Sequence, residues 1–261
     1  MDPDDPETDP DTLAGLVTAG DHPDAVALRT AGSHPDREYD YRRLRDDAAK
    51  TGNLLAALGV RDGRTLGVAA DPPAPEAVLA LLGAATTGAV VRFAPSEDRD
   101  TGSEAALRGI LAPSDRVGEY DLPPGGQRVG YGDPPGDPRV TGFEEEMWSE
   151  NPTVPPPTVG PGDPLLSTPD GSIAHGTVLA AARRVRKEEE IDPGDSVVVR
   201  ASLGDPRVVV AGVVAPLLAG ATVVLLPDGA GSPLEARGSV AIATDEAPEG
   251  RWIDPASVSL E

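Results

Sequence analysis

The sequence predicts an α/β fold with two related subdomains, each built from a mainly parallel sheet flanked by helices. Strand and helix patterns alternate along the chain, and the predicted strands are short apolar runs that suit burial on both faces. One order of elements, a strand, an apolar helix and a second strand, occurs twice. Each copy predicts a βαβ unit, in which the helix crosses between two parallel strands.

The first copy follows a short helix, two short strands and a long amphipathic helix. Leucines of the long helix fall near helical spacing, and Gly59 suits its end because glycine tolerates the left-handed conformation found there. Up to the end of this copy the predicted elements are the helix 12–18, the turn and strand within His22–Leu28, the strand Glu38–Tyr41, the helix Arg42–Leu58, the strand Thr65–Ala69, the helix Pro75–Ala85 and the strand Ala89–Phe93.

The second copy repeats this order in the last third of the chain. Its predicted elements are the helix Val178–Glu190, the strand Ser196–Arg200, the apolar helix Arg207–Leu218, the strand Ala221–Leu226 and a further short strand, Ser239–Ala243. The spacing from Gly88 to Pro95 equals that from Gly220 to Pro227. This shared glycine-to-proline spacing indicates that the two units have the same architecture.

The region between the copies is rich in proline and glycine. One helix is predicted there, at Ser103–Leu111, and Phe143–Trp148 is expected to form a helical turn that docks Phe143 and Trp148. We therefore divide the chain into a disordered acidic tail (1–11), a first α/β subdomain (12–120), a Pro/Gly-rich connector (121–162) and a second, truncated α/β subdomain (163–261).

Acidic residues dominate the composition. The chain has 44 Asp and Glu against 22 Lys and Arg, a net charge of -22, and its sequence pI is about 4.4. Such a charge suits a cytoplasmic protein that works in high salt, where self-repulsion is screened, and it argues against nucleic-acid binding. The chain has no cysteine, which excludes disulfides, zinc thiolates and a cysteine nucleophile. Its acidic start, 1–11, lacks the apolar run of a secretory signal.

One uncharged run, Val208–Leu226, is close to the roughly 20 residues that a membrane-spanning helix needs. Pro216, Gly212 and Gly220 interrupt it. We interpret the run as a buried helix that ends near Gly220, followed by a buried strand, and we expect no membrane span.

The stretch from Asp163 to Ala182 leads into the second copy and holds the candidate site. Leu165–Thr168 is predicted to be a strand, Pro169–Ser172 a turn, and the residues after it a second strand that leads into a helix. Thr177 is the predicted N-cap of that helix.

With these segments in place, the chain resembles the N-terminal part of the adenylate-forming synthetases, such as the acyl- and acetyl-CoA synthetases. The matching segments keep the family's order and spacing and cover most of residues 12–227. They are His22–Leu28, Leu58–Gly63, Gly83–Val91, the Phe-Glu-Glu-Glu at 143–146, Ile191–Asp195 and Ala215–Val224. The resemblance implies two α/β subdomains with ATP and an acyl substrate bound between them and later elements.

The family's signature loop, rich in Thr, Ser and Gly and containing Pro-Lys-Gly, should lie between Thr168 and His175. Only six residues separate the two, about half of what the family has, and none is a lysine. Asp170 would repel phosphate there. The resemblance matches Ser167 and Thr168 to the loop's opening and His175 to the histidine after it. The family's aromatic-Gly-x-Thr-Glu motif, whose Glu helps to hold the metal, does not occur in the sequence.

These observations define a remnant nucleotide site and leave its use open. Its candidate residues are Ser167, Thr168, Gly171, Ser172 and His175. Alternatively, the hydroxyls have turn and capping roles and the histidine is structural. We predict no catalytic residue and no metal ligand, with ATP or AMP and Mg²⁺ as cofactors only if the pocket survives.

Three functions remain from the sequence. The favoured one is a truncated, non-catalytic homologue of the acyl-CoA synthetases that retains weak nucleotide or acyl binding or acts as the partner of a complete synthetase. The second is an active ligase completed by a separate chain, and the third is an interaction protein without a ligand. A sheet cut short should expose apolar surface, so self-association or a bound partner is expected.

Overall fold

The computed structural model of the protein describes residues 10–18, 22, 24–32, 36–95, 106–154, 159–226 and 235–261. Its first half contains α1 (Leu13–Thr18), β1 (Val26–Thr30), β2 (Glu38–Asp40), α2 (Tyr41–Ala57), β3 (Thr65–Val68), α3 (Pro75–Thr87), β4 (Val90–Phe93), β5 (Leu107–Pro113), β6 (Gln127–Tyr131), β7 (Val140–Gly142) and α4 (Phe143–Ser149). The second half contains β8 (Pro164–Thr168), β9 (Gly171–Ala174), α5 (His175–Glu188), β10 (Ser196–Val199), α6 (Pro206–Val209), a π-helical turn (Val210–Val214), α7 (Ala215–Ala219), β11 (Thr222–Leu225), β12 (Val240–Ile242) and β13 (Trp252–Ile253).

Two mostly parallel sheets organise these elements, which confirms the predicted fold class. The first sheet has seven strands in the order β7-β6-β5-β3-β4-β8-β9, and the second has six in the order β13-β12-β10-β11-β1-β2. Only the pairs β1–β2 and β8–β9 are antiparallel in the described part of the chain. Helices pack on the sheets, and one apolar core runs through both of them.

The two sheets exchange strands along the chain. β1 and β2, from the N-terminal segment, join the six-stranded sheet through the parallel pairing of β1 with β11. β8 and β9, which follow residue 163, join the seven-stranded sheet through β4. Each sheet therefore contains strands from both of the predicted subdomains, 12–120 and 163–261. The boundary between the subdomains stays a prediction.

Both predicted βαβ units are confirmed. In the first, α3 crosses between the parallel neighbours β3 and β4; in the second, α6, the π-helical turn and α7 cross between β10 and β11. Gly88 and Gly220 end the two crossovers in the left-handed conformation, with φ of 68° and 73°. A side chain would be strained at such a φ, so the shared glycines mark the same helix ending in each unit.

The second crossover is less regular than the predicted helix Arg207–Leu218. A π-helical turn, Val210–Val214, lies fully buried just before Pro216. Proline has no backbone N–H, so a regular ladder of hydrogen bonds cannot continue through it. Among the described helices, none is long and apolar enough to cross a membrane.

The predicted helix Ser103–Leu111 is wrong where it can be compared. Residues 107–113 form β5, which pairs with β3 on one side and β6 on the other, whereas residues 103–105 lie outside the described part of the chain. Pairing on both sides overrides the local pattern. Gly109 fits this position because a Cβ there would lie 3.2 Å from Val60 Cγ2. Most of the predicted tail 1–11 also lies outside the described residues.

The segment 121–162, predicted to be a connector, contributes three elements. β6 and β7 extend the seven-stranded sheet, and α4 begins at Phe143. Phe143 is buried as expected, but the expected docking of Trp148 is wrong because 61% of that side chain is exposed. Lys50 Nζ lies 4.9 Å from the centre of the Trp148 ring instead.

Candidate functional site

Four of the five predicted nucleotide-binding residues lie on a tight β-hairpin. β8 and β9 pair with Ser167 opposite Ser172 and Thr168 opposite Gly171, so the turn itself consists of Pro169 and Asp170 only. The Thr168 hydroxyl donates to the Gly171 carbonyl oxygen over 3.1 Å. Strand pairing thus occupies the positions at which the family resemblance placed an open loop.

The structure adds Arg92, which the sequence reading did not single out. It lies on β4, next to β8, and its Nη2 donates to Ser167 Oγ over 3.2 Å. The signal in the sequence is one arginine inside the otherwise apolar strand Val90–Phe93. Arg92 and Ser167 bring one cation and one hydroxyl together beside the hairpin.

His175 does not join this group. It is the first residue of α5 and is fully buried, and its Nδ1 accepts the backbone N–H of Leu13 over 3.2 Å. Ser172 precedes it by three residues of extended chain, roughly 10 Å. The hairpin therefore brings together four of the five candidate residues, while the imidazole contacts the first residue of α1.

The start of α5 differs from the prediction. Thr177 is not the N-cap, because the helix begins two residues earlier, with Ala174 in the cap position and no side-chain cap bond. Carbonyl groups of the chain take that role. The backbone N–H of His175 donates to the Asp163 carbonyl oxygen and that of Gly176 to the Pro161 carbonyl oxygen, over 3.0 and 2.8 Å. Two of the orphan N–H groups at this helix N-terminus are thus already satisfied.

Burial lowers the pKa of His175 to about 4, and the nearby charge of Asp163 opposes this only in part. The imidazole is therefore neutral near pH 7. Since Nδ1 is an acceptor, the neutral ring carries its proton on Nε2, which has no hydrogen-bond partner in the described part of the chain. This geometry supports the alternative that His175 has a structural role.

Neither lysine of the chain lies on the hairpin. Of the two lysines, Lys50 lies on α2 beside Asp47, 3.6 Å away, and Lys187 lies in the last turn of α5. Across the ranges that the structure describes, no three His, Cys, Asp or Glu side chains form a group that could hold a metal ion.

Comparison with solved structures identifies similar folds at low sequence identity. The structure is similar to an anthranilate CoA ligase, AuaEII, in complex with anthranoyl-AMP (TM-score 0.72, 18% identity), with 93% of this chain and 51% of that one covered. It is similar to a benzoate CoA ligase from Burkholderia xenovorans LB400 (TM-score 0.73, 19% identity), with 88% and 50% covered. It is also similar to the nonribosomal peptide synthetase FmoA3 (TM-score 0.67, 26% identity), with 83% and 23% covered.

The chain thus spans about half the length of the two ligases, and less of the peptide synthetase. No family model matches the sequence, and no curated protein matches it. The resemblance predicted from the segments between residues 12 and 227 is confirmed at the level of the fold. The protein has the fold of the N-terminal domain of adenylate-forming enzymes.

Proposed function

We propose that this chain is a non-catalytic homologue of the adenylate-forming CoA ligases that acts as the partner of a complete synthetase. The observation that supports the proposal is the β8–β9 hairpin, with its turn of Pro169 and Asp170, where the family resemblance predicts the phosphate loop. Adenylate transfer depends on charge stabilisation of phosphate by preorganised donors, a lysine and a metal ion.

The residues at the hairpin do not fit Mg-ATP. A phosphate loop offers several backbone N–H groups in a concave arrangement, whereas strand pairing ties the backbone of Ser167, Thr168, Gly171 and Ser172 into a ladder. Asp170 places a negative charge at the tip. Arg92 is the nearby cation, and it donates to Ser167. We therefore derive no step of adenylate transfer through this site.

Pyrophosphate exchange tests the proposal. The chain is incubated in molar KCl with Mg-ATP, labelled pyrophosphate and a panel of aromatic and aliphatic acids, and incorporation of label into ATP is measured. We expect no incorporation above the blank. Exchange by the chain alone would contradict the proposal. Exchange that appears only after a second chain is added would favour the alternative of a ligase completed in trans.

Binding without catalysis is the second candidate. Ser167, Thr168, Gly171, Ser172 and His175 stay predicted as a weak remnant site for AMP or an acyl-adenylate, and Arg92 beside Ser167 favours an anion there. Stabilisation by AMP but not by a neutral nucleoside would support this site. If AMP stabilised a variant with both Arg92→Gln and Ser172→Ala as much as the parent, it would not bind at this site.

The remaining proposals concern habitat and assembly. The net charge of -22 supports a cytoplasmic, halophilic protein, since molar salt screens repulsion between carboxylates.

Exposed Trp148 and Trp252, the latter on the edge strand β13, support a partner or self-association. Light scattering in molar KCl, with and without a full-length synthetase, measures self-association and binding to the synthetase. A chain that stays monomeric and does not bind the synthetase would count against the partner role.

A further inference from the structure

Helix α1 is held by a residue that lies 162 positions away in the sequence. Leu13 is the first residue of α1, and its backbone N–H donates to Nδ1 of His175. The first N–H groups of a helix have no partner inside the helix, so a side chain that accepts from one of them acts as a cap. His175 is therefore a tertiary cap for α1.

The helix that this cap holds is part of the core. Leu13 and Ala14 are fully buried and Val17 nearly so, and α1 packs on α2 and α3. A second contact lies just before the helix, where Arg183 Nη2 donates to the Pro10 carbonyl oxygen over 2.8 Å. Helix α1 has only six residues, too few to be stable alone in water. Its position depends on these contacts.

We propose that His175 is a pH-operated latch for α1: the neutral imidazole holds the helix, and the imidazolium releases it. The cap needs a lone pair on Nδ1, and protonation places a hydrogen there, so that two N–H groups face each other. The opposite nitrogen offers no compensation, because Nε2 is buried without a hydrogen-bond partner in the described chain. The charged form thus loses its one bond and stays desolvated.

Asp163 is the surrounding charge that shifts the pKa of His175. The carbonyl oxygen of Asp163 accepts the backbone N–H of His175. The negative charge of the Asp163 side chain raises the pKa of the imidazole, but by less than burial lowers it. No residue of α1 titrates. The charged side chains on the elements packed against α1 and in α5 include Glu76, paired with Arg37; Asp47, paired with both Arg43 and Lys50; and Arg183, which binds the Pro10 carbonyl oxygen.

The size of the effect follows from linkage. Held in place, His175 has a pKa of about 4, and released into water it would return to about 6.5. The pKa in the docked state is depressed, so docking is fully stable above about pH 6.5 and weakens as the pH falls towards 4. Between pH 7.5 and 5 the equilibrium constant for release should rise on the order of 30-fold.

Hydrogen exchange with mass spectrometry tests the latch in the full chain in molar KCl. Protection of the peptide that covers residues 10–18, corrected for intrinsic exchange rates, should fall about 30-fold from pH 7.5 to pH 5. Peptides from β10 and β11 should keep their protection over this range. His175→Gln keeps an acceptor but does not titrate, so its α1 peptide should be protected at pH 7.5 and change less than about threefold. His22→Gln, a control outside the contact, should behave like the parent.

The latch would be overturned if the α1 peptide of His175→Gln lost protection with falling pH as the parent does. It would also be overturned if α1 and β10 lost protection together. If His175→Gln does not fold, the imidazole of the parent is titrated by NMR. A pKa near 4 that coincides with the loss of α1 protection supports the proposal. A pKa near 6.5 with α1 still protected contradicts it.

Discussion

In each of the two βαβ units, a buried carboxylate pairs with an arginine. The two pairs differ in geometry and in how far water reaches the arginine. In the first unit, Glu76 in the first turn of α3 meets Arg37, which precedes β2; in the second, Arg200 follows β10 and meets Glu249, which precedes β13. The first pair therefore links elements of the two sheets. The second ties the C-terminal segment to the six-stranded sheet.

Geometry separates the two pairs further. Arg200 binds Glu249 with two nitrogens, Nη2 to Oε1 at 2.6 Å and Nε to Oε2 at 2.9 Å, and Glu249 also accepts the Arg237 N–H at 3.2 Å. Arg37 meets Glu76 through Nη2, which lies 2.5 Å from Oε1. The side chain of Arg37 is 43% exposed and that of Arg200 only 12%. Water can thus replace one partner in the first pair and hardly in the second.

The largest effect is expected from Glu249→Gln. It replaces the carboxylate that binds two nitrogens of the buried Arg200 guanidinium with a neutral amide, which should lower the free energy of unfolding by about 3–5 kcal/mol. Urea unfolding at constant molar KCl measures this. Glu246→Gln changes the same charge at an exposed position and should stay within about 0.5 kcal/mol of the parent. Equal losses in the two variants would show that net charge, not the buried pair, sets the cost.

A smaller loss is expected from Arg37→Gln. Glu76 stays buried in this variant, but water can enter where the half-exposed arginine was, and the positive end of α3 also favours the carboxylate. We expect about 1–3 kcal/mol by the same measurement. Arg42→Gln, which breaks the exposed pair with Asp24, is the matched control and should cost less than about 1 kcal/mol. A loss as large as that of Glu249→Gln would remove the contrast between the pairs.

Acid should weaken the stabilisation that the Arg200–Glu249 pair contributes to the fold. Burial raises the pKa of Glu249, but the bonds from Arg200 and from the Arg237 N–H outweigh it, and the net pKa is lowered. A lowered pKa means that the pair stabilises the fold above the unfolded value, about 4.3, and loses this contribution as the pH falls through the folded pKa. The difference between parent and Glu249→Gln should hold from pH 7 to 5 and shrink below about pH 4.3. A difference that grows in acid would contradict this assignment.

Much of this architecture could be predicted from the sequence, because apolar runs and glycine C-caps are local signals. The two crossovers and the buried run Val208–Leu226 are of this kind. β5 was missed because its identity depends on β3 and β6, which lie far from it in the sequence. Exchange of β1 and β8 between the sheets is likewise a matter of distant pairing.

The candidate site could be predicted only in part. Ser167, Thr168, Gly171 and Ser172 lie together because a short turn forces their strands to pair. The contact of His175 with Leu13 has no local signal, since two segments 162 residues apart make it. Arg92 had a local signal, because it is a single arginine inside the otherwise apolar strand β4.

The smallest effect is expected at an exposed pair of similar geometry. Arg139 binds Asp137 through Nε at 3.1 Å and Nη2 at 2.7 Å, and this contact lowers the pKa of Asp137 to about 2. Both side chains are open to water. Asp137→Asn should therefore leave the urea midpoint unchanged within error, because solvent competes for both partners. A loss comparable to that of Glu249→Gln would mean that geometry, rather than burial, makes the pairs strong.

If the β8–β9 hairpin replaces the phosphate site, as we propose, the chain should not bind Mg-ATP, and thermal unfolding in molar KCl with millimolar Mg-ATP measures this. A ligand at a hundred times its dissociation constant adds about 2.7 kcal/mol, which moves the midpoint of a domain of this size by several degrees. We expect Mg-ATP not to shift the midpoint. A shift of several degrees, abolished by Arg92→Gln, would show that the hairpin still binds the triphosphate and would contradict it.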